Sequence, residues 1–286
     1  MKFLSICVAT VYLSAADLPK HVVILGYDGL SVAGFSQADA PAFHKLQNSG
    51  AYTLHARGVM PTVSSPNWAS MIMGAGPEQH GILSNEWKLG QTEFTPTCSD
   101  EQGRFPTIFG LLRKQRPAAQ IAIFHHWQDF ARLVEPGAPT VIEHGQTAEE
   151  TIDKAVDYLK THKPDLLFVH LDSIDHAGHE MGHMTPDYQA AILEADALTA
   201  RLLKALDMRD TVVLVTADHG GVGKKHGGNT MSELEIPWLV SGAGVRAGEL
   251  KTPVNTFDTA ATVAWLLRLQ APPCWIGRPV TEAFRE

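Results

Sequence analysis

The sequence predicts an α/β protein, a three-layer α/β/α sandwich whose mostly parallel central sheet is covered by helices on both faces. Apolar residues make up 44% of the 286-residue chain, which is enough for a sizeable core. Short β-branched apolar runs alternate with longer segments of helical periodicity, a pattern typical of parallel sheets. The chain shows no internal repeat, low-complexity tract or linker, and we therefore expect one domain over residues 17–286.

Five apolar runs have the length and β-branching of buried strands. They are residues 21–29, 120–127, 165–172, 211–218 and 235–242. Helical periodicity, early prolines and early acidic residues predict helices between them. These helices cover residues 147–162, 185–206 and 256–269, with a shorter one from Ser64 to Gly74.

Residues 1–16 have the pattern of a secretory signal peptide. Lys2 precedes an apolar run over residues 3–13, and small residues follow at 14–16. The run is too short to span a membrane, and no other segment predicts a transmembrane helix. The alternative is a first β-strand, but residues 17–19 (Asp-Leu-Pro) interrupt it before the next run. We therefore expect a secreted or periplasmic protein.

The net charge of the chain limits the kinds of ligand that it can bind. The formal net charge is −8 and no basic stripe is present, which argues against a binder of long nucleic acid. A small phosphate ester or nucleotide needs only local positive charge, which metal ions can supply.

Cys98 and Cys274 lie in loop-like sequence, and an exported chain can pair them; their spacing leaves the pairing open.

Carboxylates follow three of the predicted strands. Asp28 ends the first, Asp172 and Asp175 follow the third, and Asp218 ends the fourth. Ligands of open α/β sheets bind beyond the carboxyl ends of the strands, so these acids are expected at one edge. A single acid there would be an ordinary turn residue or helix cap. Several like charges gathered together repel one another unless a cation lies among them.

Histidines accompany these acids in glycine-rich sequence. His219 follows Asp218 directly, His226 comes seven residues later, and His179 lies four residues after Asp175. Mixed nitrogen and oxygen donors suit Zn²⁺, and the sequence therefore predicts a metal site. Spacing alone leaves Asp172 as an alternative ligand to Asp175. It also leaves open whether His176 and His183 support the ligands or lie on the surface.

Ser64 is the candidate nucleophile. It opens the predicted short helix, where free N–H groups and the helix dipole favour an anion such as phosphate. A serine hydroxyl is a weak nucleophile, and coordination to a metal ion would help to deprotonate it. Asn67, one turn on, is positioned to donate to a phosphoryl oxygen. The alternative is that Ser64 only caps the helix.

Taken together, these motifs resemble the alkaline phosphatase superfamily and, within it, the nucleotide pyrophosphatase/phosphodiesterase branch. The resemblance covers nearly all of the chain after residue 16, in order. It is carried by GYDGL (26–30), PTVSSPNW (61–68), GPEQHGILSNEW (76–87), DHAGH (175–179), TADHG (216–220) and HGG (226–228).

The resemblance implies an alkaline-phosphatase-like fold and two zinc ions, or other divalent metals. It selects Asp175 over Asp172, makes Ser64 the nucleophile of a phospho-enzyme and makes Asn67 the phosphate-binding amide. The implied substrate is a small phosphodiester or nucleotide. The two implied ligand sets are Asp175, His179 and His226 for one ion, and Asp28, Asp218 and His219, with Ser64, for the other.

Two departures from this branch keep alternatives open. The branch more often uses Thr as nucleophile, so a phosphomonoesterase remains possible, as does a phosphonate hydrolase. Monoesterases of the superfamily usually add a cation for the extra charge; Lys224 and Lys225 are candidates, or are solvated. Trp68 and Trp87 either stack on a leaving group or belong to the core.

The motifs disfavour two further classes of protein. A sulfatase is disfavoured because its maturation motif, Cys/Ser-x-Pro-x-Arg, would require Arg where Trp68 stands. From a different class, a non-catalytic exported binding protein is disfavoured because the full candidate ligand set is present. The sequence assigns no oligomeric state.

Overall fold

The computed structural model describes residues 19–91 and 94–285, so the predicted signal peptide, residues 1–16, lies outside the described residues. Within the described part, eight strands form one sheet. They are β1 (His21–Tyr27), β2 (Ala51–Arg57), β3 (Ile121–His125), β4 (Val141–His144), β5 (Leu166–Leu171), β6 (Thr211–Ala217), β7 (Glu235–Gly242) and β8 (Gly248–Glu249).

Helices connect and cover these strands in two groups. In one group, α1 (Val32–Gln37), α2 (Pro41–Ser49), α6 (Ala148–Leu159) and α7 (Ser173–Met181) pack on the long α8 (Pro186–Leu203). The other group is α3 (Ser64–Met73), α4 (Pro77–His80), α5 (Ile108–Gln115) and α10 (Asp258–Leu266). A short α9 (Met231–Leu234) precedes β7, and 3₁₀ turns lie at Gln128–Leu133 and Thr281–Ala283.

The sheet has the strand order β4-β3-β5-β1-β6-β7-β2-β8. The first five strands in this order are parallel, whereas β7 runs antiparallel to both β6 and β2. The predicted mostly parallel α/β/α architecture is therefore confirmed. The central strands β1, β5 and β6 are buried along almost their whole length, which explains their continuous apolar sequence.

The register of the central strands places the candidate acids side by side. Tyr27 at the end of β1 pairs with Leu171 of β5 on one side and with Ala217 of β6 on the other. The next residue of each strand is therefore an aspartate at the same level of the same edge: Asp28, Asp172 and Asp218.

Two loops far apart in the chain are joined covalently. Cys98 and Cys274 form a disulfide, with Cα atoms 6.2 Å apart, so the pairing that the sequence left open is made. No helix in the described part of the chain combines the length and the apolar character that crossing a bilayer requires.

Candidate metal centre

Three residues at the ends of β1 and β6 form what we call the inner ligand group: Asp28, Asp218 and His219. The Nε2 atom of His219 lies 3.1 Å from Asp218 Oδ2 and 3.4 Å from Asp28 Oδ1. All three side chains are essentially inaccessible to solvent. Ser64 Oγ lies 3.4 Å from the same Nε2 atom, so the candidate nucleophile borders this group.

The outer ligand group consists of Asp175, His179 and His226. Asp175 and His179 lie one turn apart on α7, with 3.1 Å between Asp175 Oδ2 and His179 Nε2. His226 comes from the glycine-rich loop after β6, and its Nε2 atom is 3.0 Å from that of His179. The rings of His226 and His219 stack with centroids 3.8 Å apart, so the two groups are adjacent.

The hydrogen bonds of the three histidine rings indicate which ring nitrogen faces the carboxylates. Each ring places Nδ1 within hydrogen-bond distance of a main-chain carbonyl: Gly220 for His219 (2.9 Å), Lys224 for His179 (3.0 Å) and Thr62 for His226 (2.8 Å). A neutral ring that donates from Nδ1 presents a lone pair at Nε2. These three lone pairs face carboxylate oxygens or one another. Such a contact is repulsive unless a cation lies between the atoms.

The carboxylate oxygens of the two groups also indicate a cation site. Asp28 Oδ1, Asp175 Oδ1 and Asp218 Oδ2 are buried and accept no hydrogen bond from any residue that the structure describes. A buried carboxylate oxygen without a donor is costly, but it is the atom that a metal ion coordinates. Nitrogen and oxygen donors in these numbers suit Zn²⁺ and related divalent ions, so the residues present fit the predicted metals.

Without cations the charges of the site oppose one another. Burial, together with the charges of Asp28 and Asp175, raises the pKa of Asp218 well above its usual value. The same causes raise the pKa of Asp172 to about 8. Burial also acts to raise the pKa of Asp28, but its hydrogen bond with His170 and the nearby His219 hold that pKa below the usual range. In the absence of a metal ion a proton occupies the position between His179 Nε2 and Asp175, because the hydrogen bond with Asp175 raises the pKa of His179 to about 9.

Two buried side chains orient Asp28. Trp68 Nε1 donates to Asp28 Oδ2 at 2.9 Å, and His170 Nε2 lies 3.3 Å from the same oxygen, which leaves Oδ1 free. Trp68 is fully buried, so the core alternative holds for it. Gly26 permits its approach, because a Cβ atom there would lie 2.5 Å from the indole ring. Sequence reasoning missed His170; the only signal was a histidine within an apolar strand.

The other candidates near α7 have separate positions. Asp172 also faces the site, since one oxygen each of Asp28, Asp172 and Asp175 lie within 4.8 Å of one another. His183 is buried against Gly178 and Gly221, and its ring and main-chain N–H both meet the carbonyl of Gly223. It therefore supports the loop that carries His226. His176 is exposed.

Ser64 is the first residue of α3, not its cap. Val63 occupies the cap position and no side chain caps the helix, so the capping alternative fails. Ser64 is 6% exposed, and His219 Nε2 is the hydrogen-bonding partner of its hydroxyl. The hydroxyl is thus free to meet a ligand at the helix N-terminus.

Asn67 does not have the expected orientation. Its Oδ1 accepts from Val59 N at 2.7 Å, and its Nδ2 donates to the carbonyls of Pro61 and Val63 at 3.0 and 2.9 Å. The amide therefore fixes the loop before Ser64 and has no donor left for a phosphoryl oxygen. This prediction was wrong because the side chain turns inward, which the sequence does not show.

Asn85 has the free amide that Asn67 lacks. Its Oδ1 accepts from the main-chain N–H of Ser65 at 2.8 Å, and its Nδ2 meets no acceptor within the described residues. The two N–H bonds of that amide are thus available beside the first turn of α3. Its place in the motif GPEQHGILSNEW was noted from the sequence, but its role was not.

Comparison with known proteins supports the resemblance. The sequence model of the type I phosphodiesterase / nucleotide pyrophosphatase family matches residues 22–230, more than half of the chain. The chain belongs to this family. Its members are phosphoric ester hydrolases within the alkaline phosphatase superfamily.

Individual relatives in the type I phosphodiesterase family are distant. The chain is 22% identical to venom phosphodiesterase 2 of Crotalus adamanteus over 214 residues, which cover 70% of this chain and 26% of the venom protein. It therefore spans about a quarter of the length of this curated relative.

Solved structures show the same fold. An inactive variant of murine ectonucleotide pyrophosphatase/phosphodiesterase 5, in complex with AMP, superposes with a TM-score of 0.74 at 16% identity, covering 89% of this chain and 96% of that one. Wild-type alkaline phosphatase PafA gives a TM-score of 0.77 at 15% identity, covering 95% and 100%.

The other candidates from the sequence are two lysines and a tryptophan. Lys224 contacts His179 through its main-chain carbonyl, and its Nζ donates to the carbonyl of Glu180 at 2.5 Å, at the end of α7. Lys225 is exposed. Trp87 is buried in the core, so neither tryptophan is placed to stack on a leaving group.

Proposed function

We propose that the chain hydrolyses phosphodiester or pyrophosphate bonds of small substrates, including nucleotides, through a phosphoester on Ser64. The carrying observation is the position of the Ser64 hydroxyl, 3.4 Å from His219 Nε2, at the edge of the inner ligand group, where buried carboxylate and imidazole donors converge. Family membership supports the reaction class.

We propose two zinc ions, with other divalent ions as substitutes. The inner ligand group, next to Ser64 Oγ, would hold one ion and the outer ligand group the other. When bound, such ions lower the pKa of a coordinated hydroxyl or water and offset charge on phosphoryl oxygens.

The residues of the chain then have distinct tasks. The Ser64 hydroxyl releases its proton to solvent, its Oγ atom bonds to phosphorus, and the P–O bond to the leaving group breaks, so the leaving oxygen departs with the electron pair. Water then attacks phosphorus, the P–Oγ bond breaks, and Ser64 Oγ takes up a proton from that water. The main-chain N–H of Ser64, at the N-terminus of α3, and the free amide of Asn85 donate to the non-bridging oxygens, whose charge rises in the transition state.

We also propose that the protein is exported. The Cys98–Cys274 disulfide supports this, because disulfides persist in oxidising compartments. The signal-peptide pattern of residues 1–16 agrees.

A phosphomonoesterase is the second candidate. One observation favours it: the guanidinium of Arg132 hydrogen-bonds to Ser65 in the first turn of α3, 3.0 Å from its hydroxyl. Arg132 thus supplies a cation near Ser64 that the sequence did not reveal.

The test is kcat/KM for bis(p-nitrophenyl) phosphate against p-nitrophenyl phosphate with the zinc-loaded protein. The leaving group is the same, so the ratio reports how the site treats one extra negative charge. We expect the diester to be preferred; a strong preference for the monoester would establish the second candidate.

Ser64→Ala should abolish turnover of both substrates. Ser49→Ala, whose hydroxyl lies 2.9 Å from that of Ser241 at the opposite edge of the sheet, should retain turnover. A Ser64→Ala protein with wild-type activity would show that the proposed mechanism is wrong.

A further inference from the structure

Arg132 contacts both Ser65, the residue after the candidate nucleophile, and Asn85. It lies in the 3₁₀ turn Gln128–Leu133, between β3 and β4. Its Nη2 atom donates to Ser65 Oγ at 3.0 Å and to the main-chain carbonyl of Asn85. One guanidinium thus joins the first turn of α3 to the segment that carries Asn85.

Asn85 is consequently held at both of its oxygens. Its main-chain oxygen accepts from Arg132, and its side-chain Oδ1 accepts from Ser65 N at 2.8 Å. The part of the residue left without a partner among the described residues is the Nδ2 amide, beside the first turn of α3. The Arg132–Ser65–Asn85 arrangement therefore fixes the direction in which that amide points.

Arg132 is itself immobilised. Its Nη1 pairs with Asp129 Oδ2 at 3.2 Å, and its guanidinium carbon lies 5.6 Å from the centre of the Trp127 ring. Arg104 donates to its main-chain oxygen at 2.8 Å. Only 24% of the Arg132 side chain is exposed. A planar fork held in this way transmits position better than a lysine ammonium on a flexible stem.

We propose that Arg132 is a positioning residue for phosphoryl transfer: it holds Asn85 so that the Nδ2 amide meets a non-bridging phosphoryl oxygen as Ser64 attacks. This rests on the proposed function. Because the effect passes through Asn85, removing Arg132 should matter only while the Asn85 amide is present.

A double-mutant cycle tests this dependence, with kcat/KM measured for both p-nitrophenyl substrates. Arg132→Gln and Asn85→Ala should each lower kcat/KM by about 10²-fold, the loss that a misplacement of about 1 Å can cause. The double variant should be no slower than Asn85→Ala alone, because residues acting as a unit are not additive. Arg132→Lys should remain slow, since it keeps the charge but loses the fork.

The control is Arg113→Gln. Arg113 also makes several hydrogen bonds, to Ala138 O, Pro117 O and Thr140 Oγ1, but far from the ligand groups. It should retain wild-type kcat/KM, so a general loss of folded protein would be recognised.

Two results would overturn the proposal for Arg132 alone. The first is that the wild-type enzyme is active and the double variant loses the product of the two single losses, which would mean that Arg132 acts independently of Asn85. The other is a loss confined to the dianionic monoester and restored by Arg132→Lys, which would mean direct contact with substrate charge. A wild-type protein inactive on both substrates would overturn the proposed function, and this proposal with it.

Discussion

The inner and outer ligand groups differ in how the chain builds them. Asp28, Asp218 and His219 follow directly from central strands, and their side chains are at most 1% exposed. The outer group comes from a helix and a loop, and the side chain of His179 is 45% exposed. The sheet positions the first group, whereas the second depends on how α7 and the loop meet.

The supports of the two groups differ in the same way. Asp28 is held by the buried side chains of Trp68 and His170, and Asp218 Oδ1 accepts from the main-chain N–H groups of Gly29 and His219. The outer histidines rest on main-chain carbonyls of other loops. The inner group is therefore preorganised, and we expect the outer group to exchange a bound metal ion more readily.

Substituting one ligand in each group should give the largest contrast. Asp218→Asn should lower kcat/KM by about 10³-fold or more, since a metal supplies several kcal/mol of transition-state stabilisation. His179→Gln should lose less, and millimolar zinc should restore part of it because the side chain of His179 is 45% exposed and its position is open to solvent. The measurement is kcat/KM as a function of added zinc.

Metal content of the same two variants provides the control. After dialysis against a weak chelator, His179→Gln should retain about one zinc ion per chain. Equal metal loss in both variants, or recovery of Asp218→Asn by zinc, would contradict the distinction between the two groups.

The support of Asp28 predicts a smaller effect. Trp68→Phe removes the indole N–H that donates to Asp28 Oδ2, and losing such a partner of a metal ligand typically costs about 10- to 100-fold in metal affinity. Competition with a chelator would measure it. Trp238→Phe is a matched control, because Trp238 is equally buried and donates one hydrogen bond, to Thr259 Oγ1. Equal affinities in both variants would contradict a specific role for Trp68.

Most of the sheet follows from the sequence because its central strands are buried on both faces. Residues 235–242 were predicted as a strand and form β7 with the same limits. Its antiparallel direction was not predicted, because a buried apolar run carries no sign of direction. The strands β2 and β4 were missed: β2 alternates between buried and accessible residues, and β4 has two exposed residues among four.

Some residues of the site can be recognised from local sequence, and others depend on contacts between distant parts of the chain. The positions of the acids, His219 and His179 follow from local pattern, because each comes shortly after a strand or lies one helical turn from another candidate ligand, whereas His226 comes from a loop. Asn67 was assigned wrongly because its amide turns into the loop before Ser64. Asn85 and Arg132 gained no role from the sequence, since Arg132 meets Asn85 and Ser65 only across separations of 47 and 67 residues. Local pattern carries no information about such contacts.

Helix α3 carries Ser64 and also Trp68, which holds Asp28, so the inner group depends on the stability of this helix. A buried histidine behind α3 makes the stability of the fold depend on pH. Behind that helix the buried His80 accepts from Ile82 N through Nδ1, so its Nε2 donates to Ser70 Oγ at 3.0 Å. Burial lowers the pKa of His80 to about 3.

The unfolded chain therefore binds a proton below about pH 6.5 that the folded state refuses, and stability falls as pH falls from about 6.5 towards 3, by at most about 1.4 kcal/mol per pH unit. His80→Gln should remove this contribution. Urea unfolding at pH 7 and pH 5 should show the wild-type advantage over His80→Gln shrinking by about 2 kcal/mol in acid. Because zinc binding is itself pH-dependent, both proteins are compared in EDTA. An advantage that is the same at both pH values would show that His80 takes up its proton without cost, and that α3 does not depend on a neutral histidine beneath it.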